Sequence, residues 1–328
     1  MSKQTNQQEG RHTLPRLIEY YEVCNKAEGK SPKTVSWYSS NLKCFHQYLR
    51  SRHLPDSIGK IDTRLLREYL IYLRKRDSYE GHPYTPAQHQ PLSAATIHGH
   101  VRTLRAFFSW LVREELVQVN PAIGIKPPRT ARKVITTLSD QEIRSIMNIL
   151  NTRVACDGRN QTILMMLIDT GLRIGELIGL KLEDVHIDDG LLKVLGKGSK
   201  ERIVPIGSNA QRALQRYLFR YRPQPAHGGI TSVFLSARGK PLTENGVKLM
   251  FTRLARRSGV TRLHAHLCRH TFATRFLMNG GDVFTLQQIL GHSSLEMVRQ
   301  YVNLASNHVA LQHQRFSPMG RLGLGKSR

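Results

Sequence analysis

Apolar residues recur along this chain mostly at helical spacing, and that period gives a first outline of the molecule. Leu17, Ile18, Tyr21 and Cys24 fall on one helical face, so residues 14–27 read as a helix after a polar lead-in over residues 1–12. Ser31 and Pro32 open a second helix, with proline at a first-turn position where its missing N–H leaves no bond unmade. Its stripe is Val35, Tyr38, Leu42, Phe45 and Leu49, running to about Arg52. Asp62 is placed to cap a third helix through Leu73. A fourth, over residues 94–117, carries Ile97, Val101, Leu104, Phe107, Leu111 and Leu116, with Trp110 among them. Residues 13–118 therefore predict a helical domain with no strand signal. Within it, residues 77–91 are rich in Pro, Tyr, His and Gln and read as an exposed loop or short insertion.

Residues 119–137 interrupt the pattern. Three prolines stand among Lys126, Arg129, Arg132 and Lys133 with no acidic residue, as in an extended cationic strap. Such a strap could follow a phosphate backbone or simply space two domains. The pattern resumes at Leu138. Ser139 and Glu142 form a capping-box spacing ahead of a helix to Leu150. Residues 161–170 are an apolar helix ending at Gly171. Residues 191–195 and 202–206 alternate as strands around a glycine-flanked turn at 196–200. Residues 209–221 read as helix and 231–235 as another strand. Thr243 caps a helix over 244–258, and residues 266–279 and 283–290 form two more. Ser293 and Glu296 share the capping-box spacing, so a short helix should run from Ser293 to Tyr301. The expected fold is mainly α with a small β-sheet in the C-terminal domain, which spans 138–310. A basic, glycine-containing tail follows over 311–328.

Composition sharpens this outline. A length of 328 residues suits two domains, and 40% hydrophobic residues suffice for ordinary cores. No run of 18 apolar residues occurs, and the N-terminus lacks the apolar stretch of a signal peptide, so a cytosolic protein with no membrane partner is expected. Lys and Arg number 49 against 24 Asp and Glu, a net charge of +25. That balance calls for a polyanionic partner, nucleic acid first; a generally basic proteome is the plain alternative. Cys24, Cys44, Cys156 and Cys268 are scattered, which supports neither a zinc knuckle nor a redox pair and fits a reducing compartment.

The residues with chemistry stand in a particular order. Gly171-Leu172-Arg173-Ile174-Gly175-Glu176-Leu177 sets Arg173 and Glu176 on one helix face, a spacing that also suits an ordinary surface ion pair. Lys197 tips the glycine-flanked hairpin, where a lysine is usually just solvated. His266-Leu267-Cys268-Arg269-His270 sets His266 and Arg269 on one face. The alternation of His264, His266, Cys268 and His270 does not suit a metal, because residues two apart on a helix point away from each other. His292 follows Leu290-Gly291 just before a helix start, where backbone N–H groups favour an anion. Tyr301 closes the series and is the candidate nucleophile.

Together these motifs, in this order and spacing, resemble the tyrosine recombinase (integrase) family, especially compact Xer-like and mobile-element members. The resemblance covers about residues 13–310. It implies that Arg173 and Arg269 clamp the scissile phosphate and that Lys197 protonates the leaving 5′ oxygen. It implies further that His266 acts as acid/base, His292 holds the phosphate, Glu176 orients the cations and Tyr301 attacks. The chemistry is coherent: guanidiniums must neutralise an anionic diester before attack, and a 3′-phosphotyrosine conserves the bond energy for religation, so neither metal nor other cofactor is needed. The implied partners are double-stranded DNA and further copies of the chain, a dimer per core site and a tetramer in synapse that resolves a Holliday junction. Lys126, Arg129, Arg132, Lys133 and Lys200 are candidate DNA contacts. A type IB topoisomerase-like enzyme and a DNA-binding protein that does not cut remain the alternatives. Cys268 stands where relatives usually carry leucine, and Met297 and Val298 where threonine is frequent. No separate arm-binding module is expected ahead of residue 13, unlike the larger phage integrases.

Overall fold

The computed structural model describes residues 13–78, 88–129, 135–196, 198, 200–292 and 294–302, with the single positions 313 and 317. The chain divides into two compact units, Met1–Arg132 and Lys133–Arg328.

The first unit packs α1 (Leu14–Ala27), α2 (Pro32–Ser51), α3 (Thr63–Lys75) and α4 (Ala94–Arg113) around Leu42, Phe45, Leu66, Tyr69, Phe107 and Leu111, all fully buried. Each start is set locally. Ser31, Asp62 and Ser93 accept the N–H of Thr34, Leu65 and Thr96 through their side chains, and each such cap stabilises its helix by about 1 kcal/mol. Contrary to the sequence reading, the unit contains strands: β1 (Asp77–Ser78) pairs antiparallel with β2 (Gln88–Pro91). Both are short and polar, so no alternation of apolar residues announces them. Residues 79–87 lie outside the described residues. The fourth helix also stops earlier than its pattern, at Arg113. Glu115 turns left-handed and Leu116 N–H returns to Leu111 O at 2.9 Å, which folds Leu116 and Val117 back onto the core.

The expected strap is only partly extended chain. Ala122 and Ile125 are buried in the first unit's core, Thr63 Oγ1 donates to Pro121 O at 2.8 Å, and Arg105 donates to Ile125 O. Lys126 and Arg129, beyond that anchor, are exposed; Arg132 and Lys133 lie outside the described residues.

The second unit runs α5 (Asp140–Asn148), α6 (Ala155–Thr170), α7 (Ile174–Gly179), β3 (Val185–His186), β4 (Leu191–Leu195), β5 (Glu201–Pro205), α8 (Ser208–Arg216), α9 (Glu244–Ser258), α10 (Ala265–Met278), α11 (Val283–Leu290) and α12 (Glu296–Val302). Its sheet is antiparallel in the order β3-β4-β5, with Leu191 opposite Pro205 and Leu195 opposite Glu201. Leu192, Val194 and Val204 face the core, into which α6 and α10 pack against each other. The Ser139–Glu142 capping box is complete, side chain to backbone in both directions. Segments here, too, depart from the sequence pattern. The sixth helix begins at Ala155, ahead of its apolar stretch. The eighth gives way to a π-turn over Tyr217–Tyr221, where one continuous helix is predicted. Residues 231–235 form only isolated bridges, Lys181 to Ser232 and Leu235 to Pro241, and Val233, Phe234 and Leu235 are all buried. Among the described residues, no helix is long and apolar enough to cross a membrane.

Candidate active site

Two glycine turns build the site. Helix α6 ends at Gly171, whose φ of +63° disfavours any side chain. A Cβ there would also lie 2.4 Å from Phe272 and 2.8 Å from Leu290. The turn aims Gly171 O at Arg269 Nη1, 2.6 Å away, and delivers Arg173 as the residue capping α7. Glu176, one turn on, accepts from the Arg173 backbone N–H at 2.9 Å and from Arg173 Nη1 at 2.8 Å.

The second turn is Gly291, φ +61°, which ends α11. The last carbonyls of a helix lack partners within it and carry the negative end of its dipole. Here guanidiniums supply the partners. Arg202 Nε donates to Ile289 O at 2.8 Å, Arg269 Nη2 to Leu290 O at 2.8 Å and Arg173 Nη1 to Leu290 O at 3.3 Å. Arg202 also grips Glu176 through Nη1 and Nη2, at 3.1 and 2.9 Å.

Arg173 and Arg202 pair with the one carboxylate, and Arg269 adds a third guanidinium within its field, a local excess of positive charge. Burial pushes the Glu176 carboxyl up, but hydrogen bonds from Arg202 and from the Arg173 backbone outweigh it and hold the group below its ordinary range. Arg269 is 2% exposed; burial, then repulsion from Arg173, lowers its guanidinium to about 10, so it stays charged at neutral pH. His292 Nε2 accepts from Arg269 Nη2 at 2.8 Å, which leaves the proton on Nδ1. That Nδ1 is buried and has no hydrogen-bond partner among the described residues. Burial, with Arg269, Arg173 and Arg202, lowers His292 to about 4, so it is neutral at pH 7.

Tyr301 lies on α12 and is 2% exposed. Its ring stacks on that of His292, centroids 6.5 Å apart and planes at 12°, and its hydroxyl is 2.9 Å from His270 Nδ1. Burial raises the phenol above its ordinary value, against the opposing pull of Arg269 and Arg173. Burial, then His266, His264 and Arg269, lowers His270 to about 4. His266 is lowered too, by burial first; its ring meets that of His270 edge to face at 5.2 Å. A cleft of about 1050 Å³ opens beside the network, with Arg173, Arg202, His292, Lys200 and Met297 in its walls.

The structure brings Arg173, Glu176, Arg269 and His292 into one network and sets Tyr301 against it. His266 is an exposed neighbour one helical turn from His270, and Lys200 reaches the same cleft. Lys197 lies outside the described residues, as does Ser293. The tyrosine helix begins at Glu296 instead of Ser293; the N–H groups of Val298 and Arg299 both meet Leu295 O at 2.9 Å. Lys126 and Arg129 belong to the first unit. Cys268 is fully buried in the core with its thiol pushed up to about 12 by burial. Among the described residues, no group of three or more His, Cys, Asp or Glu is placed to hold a metal ion.

Two residues at this site had no role in the sequence reading. Arg202 shares strand parity with the buried Val204 and stands opposite Val194, so a charge at an inward position was the available signal. His270 is one turn from His266, but no spacing reveals which histidine meets the phenol.

Residues 136–308 match the phage integrase family, and residues 16–125 match the phage integrase SAM-like domain. The chain belongs to the phage integrase family and is a tyrosine recombinase. Among its relatives, tyrosine recombinase XerC of Oceanobacillus iheyensis is 32% identical over 306 residues, covering 92% of this chain and 94% of that protein. Tyrosine recombinase XerD of Staphylococcus saprophyticus is 30% identical over 304 residues, covering 92% and 98%. The fold is shared with XerH site-specific recombinase bound to palindromic difH substrate in a post-cleavage complex (TM-score 0.69, 22% identity, 92% of this chain and 84% of that one). It is shared also with the Tn1549 transposon integrase in complex with transposon right-end DNA (TM-score 0.70, 19% identity, 93% and 99%).

Proposed function

We propose that this tyrosine recombinase cuts and rejoins double-stranded DNA at specific sites through a 3′-phosphotyrosyl bond at Tyr301, exchanging strands between two sites through a Holliday junction. The observation that carries the reading is the buried Tyr301 phenol stacked on His292, within a cluster of guanidiniums that exceeds its single carboxylate. In this assignment Arg173 and Arg269 clamp the scissile phosphate. His292 Nδ1–H, a donor with no partner among the described residues, binds a phosphate oxygen. Glu176 holds Arg173 in place, Lys197 protonates the leaving 5′ oxygen and His266 serves as acid/base on the solvent side. One such donor contributes about 3 kcal/mol to the transition state in acyl-transfer sites. Lys126, Arg129, Arg132, Lys133 and Lys200 contact phosphates, so affinity falls steeply with salt. The assembly is a dimer on each core site and a tetramer in synapse, working in the cytoplasm on nucleoid DNA. Its domains are a core-binding domain (13–118), a basic linker (119–137), a catalytic domain (138–310) and a basic tail (311–328).

The test uses a pool of nicked duplexes randomised across the core. Wild-type protein should trap a subset as an adduct that survives denaturation, and Tyr301→Phe should trap none. Failure to trap DNA, or an adduct that persists in Tyr301→Phe, sinks the mechanism. Joining of two copies of the recovered duplex then distinguishes strand exchange from simple nicking and relaxation.

A further inference from the structure

The attacking group must lose a proton, and the family resemblance gives that task to His266. The geometry points to a different histidine. We infer that His270 is the base that takes the proton of Tyr301, a role resting on the recombinase reading above. Its Nδ1 lies 2.9 Å from the Tyr301 hydroxyl, within hydrogen-bonding distance of the atom that attacks. No hydrogen bond joins His266 to Tyr301 among the described residues; His266 touches His270 instead, edge to face. Among the described residues, the groups facing His270 are His266 and Arg269 on its own helix, His264 just before it, and Tyr301 on α12. All but the phenol are cationic when protonated, so His270 is kept neutral and its Nδ1 lone pair is open to the phenol.

The Tyr301 oxygen forms its bond to phosphorus while the bond from phosphorus to the 5′ oxygen breaks. The phenolic proton passes to His270 Nδ1, giving an imidazolium, and the 5′ oxygen takes a proton from the separate acid assigned to Lys197. On religation the imidazolium returns its proton to the tyrosine oxygen. An incoming phosphate offsets the charge of Arg269, the last of the causes that depress His270, and so favours the imidazolium once DNA is in place. His266, on the exposed side of the pair, can pass the proton onward to solvent.

The experiment uses the full chain and the duplex recovered from the randomised pool. Single-turnover adduct formation is followed from about pH 6 to 9 for wild type, His270→Ala and His270→Asn. Wild type should be flat with pH. His270→Ala should be about 100-fold slower near pH 7 and rise roughly tenfold per pH unit as phenolate becomes available. Asparagine can accept the phenol's hydrogen bond but cannot take its proton, so His270→Asn should stay as slow as alanine. It is the closer mimic in shape and carries the test if His270→Ala proves unfolded by its melting curve. A duplex with a 5′-bridging sulfur, which leaves without protonation, should rescue Lys197→Ala and leave the His270 variants slow. Full activity in His270→Asn, or a flat profile in His270→Ala, overturns the assignment. Absence of an adduct with wild type overturns the recombinase reading itself and this inference with it, whereas a wild-type adduct matched by the variants overturns the inference alone.

Discussion

The two units bury different things. The first is closed by hydrocarbon and aromatic rings: Tyr21 lies against Tyr38, Phe107 and Trp110, and Phe45 against Tyr69. Among the described residues, its buried polar groups are uncharged or kept neutral: Asn25, Ser39, Thr103 and His100, the last lowered to about 4 by burial. The second unit buries Glu176 and Arg269, ionised groups whose desolvation is costly unless every polar atom finds a partner. It meets that cost with the carbonyl ends of α6 and α11 and with Arg202. A hydrophobic core stabilises wherever it sits, whereas a cluster of fixed charges can act on an anion only from one geometry. The first unit can tolerate repacking; the second trades stability for a preorganised field.

Three experiments would break or sharpen that contrast. The largest effect should come from Phe107→Ala, which empties the centre of the first core. It should cost about 3–5 kcal/mol in urea unfolding, with hydrogen-exchange protection lost from the first unit while α6 and α10 stay protected. Equal loss in both units would show one shared cooperative core. Next is Arg202→Met, which takes two hydrogen bonds from Glu176 and one from Ile289 O. Leaving a buried carboxylate half-paired should cost about 3 kcal/mol, and adding Glu176→Gln should recover much of it. A single variant as stable as wild type would mean that Arg202 only decorates the site.

The smallest effect concerns pH. His100 in the first unit and His270 and His292 in the second are all lowered to about 4 by burial first. A histidine near 6.5 in the unfolded chain then binds a proton that the folded chain refuses, so stability is full above about pH 6.5 and declines as pH falls toward 4. Glu176, held low, adds a loss of the same sign at the acid end, as pH drops through its folded value. With more such groups, the second unit should lose hydrogen-exchange protection faster than the first between pH 7 and 5. Equal loss in both would contradict the contrast.

Much of this architecture was legible beforehand because its signals are local. Asp62, Ser139 and Thr243 cap the helices their positions announced, and residues 244–258 and 283–290 are helical over the stretches their periodicity marked. Other parts carry no local signal. The β1–β2 ribbon is polar on both strands, so no apolar alternation marks it. Residues 231–235 look like a strand by composition yet sit in the core with almost no partner strand. Ala122 and Ile125 stand among prolines and cations, and only packing against α4 turns them from strap into core.

At the site the same division holds. The sequence alone determined which side chains are present, that Arg173 and Glu176 share a turn, that glycines at 171 and 291 end their helices, and that a tyrosine closes the series. These follow from spacing of a few residues, within which the backbone geometry leaves little choice. Only the tertiary structure decided that Ile289 and Leu290 offer their carbonyls to three guanidiniums from distant segments, that Arg202 points inward, and that His270, not its neighbour four residues back, meets the phenol. The physical reason is that hydrogen bonding over 2.6–3.3 Å is settled by how α6, α10, α11 and β5 pack, and residue spacing cannot encode a distance between segments about a hundred residues apart.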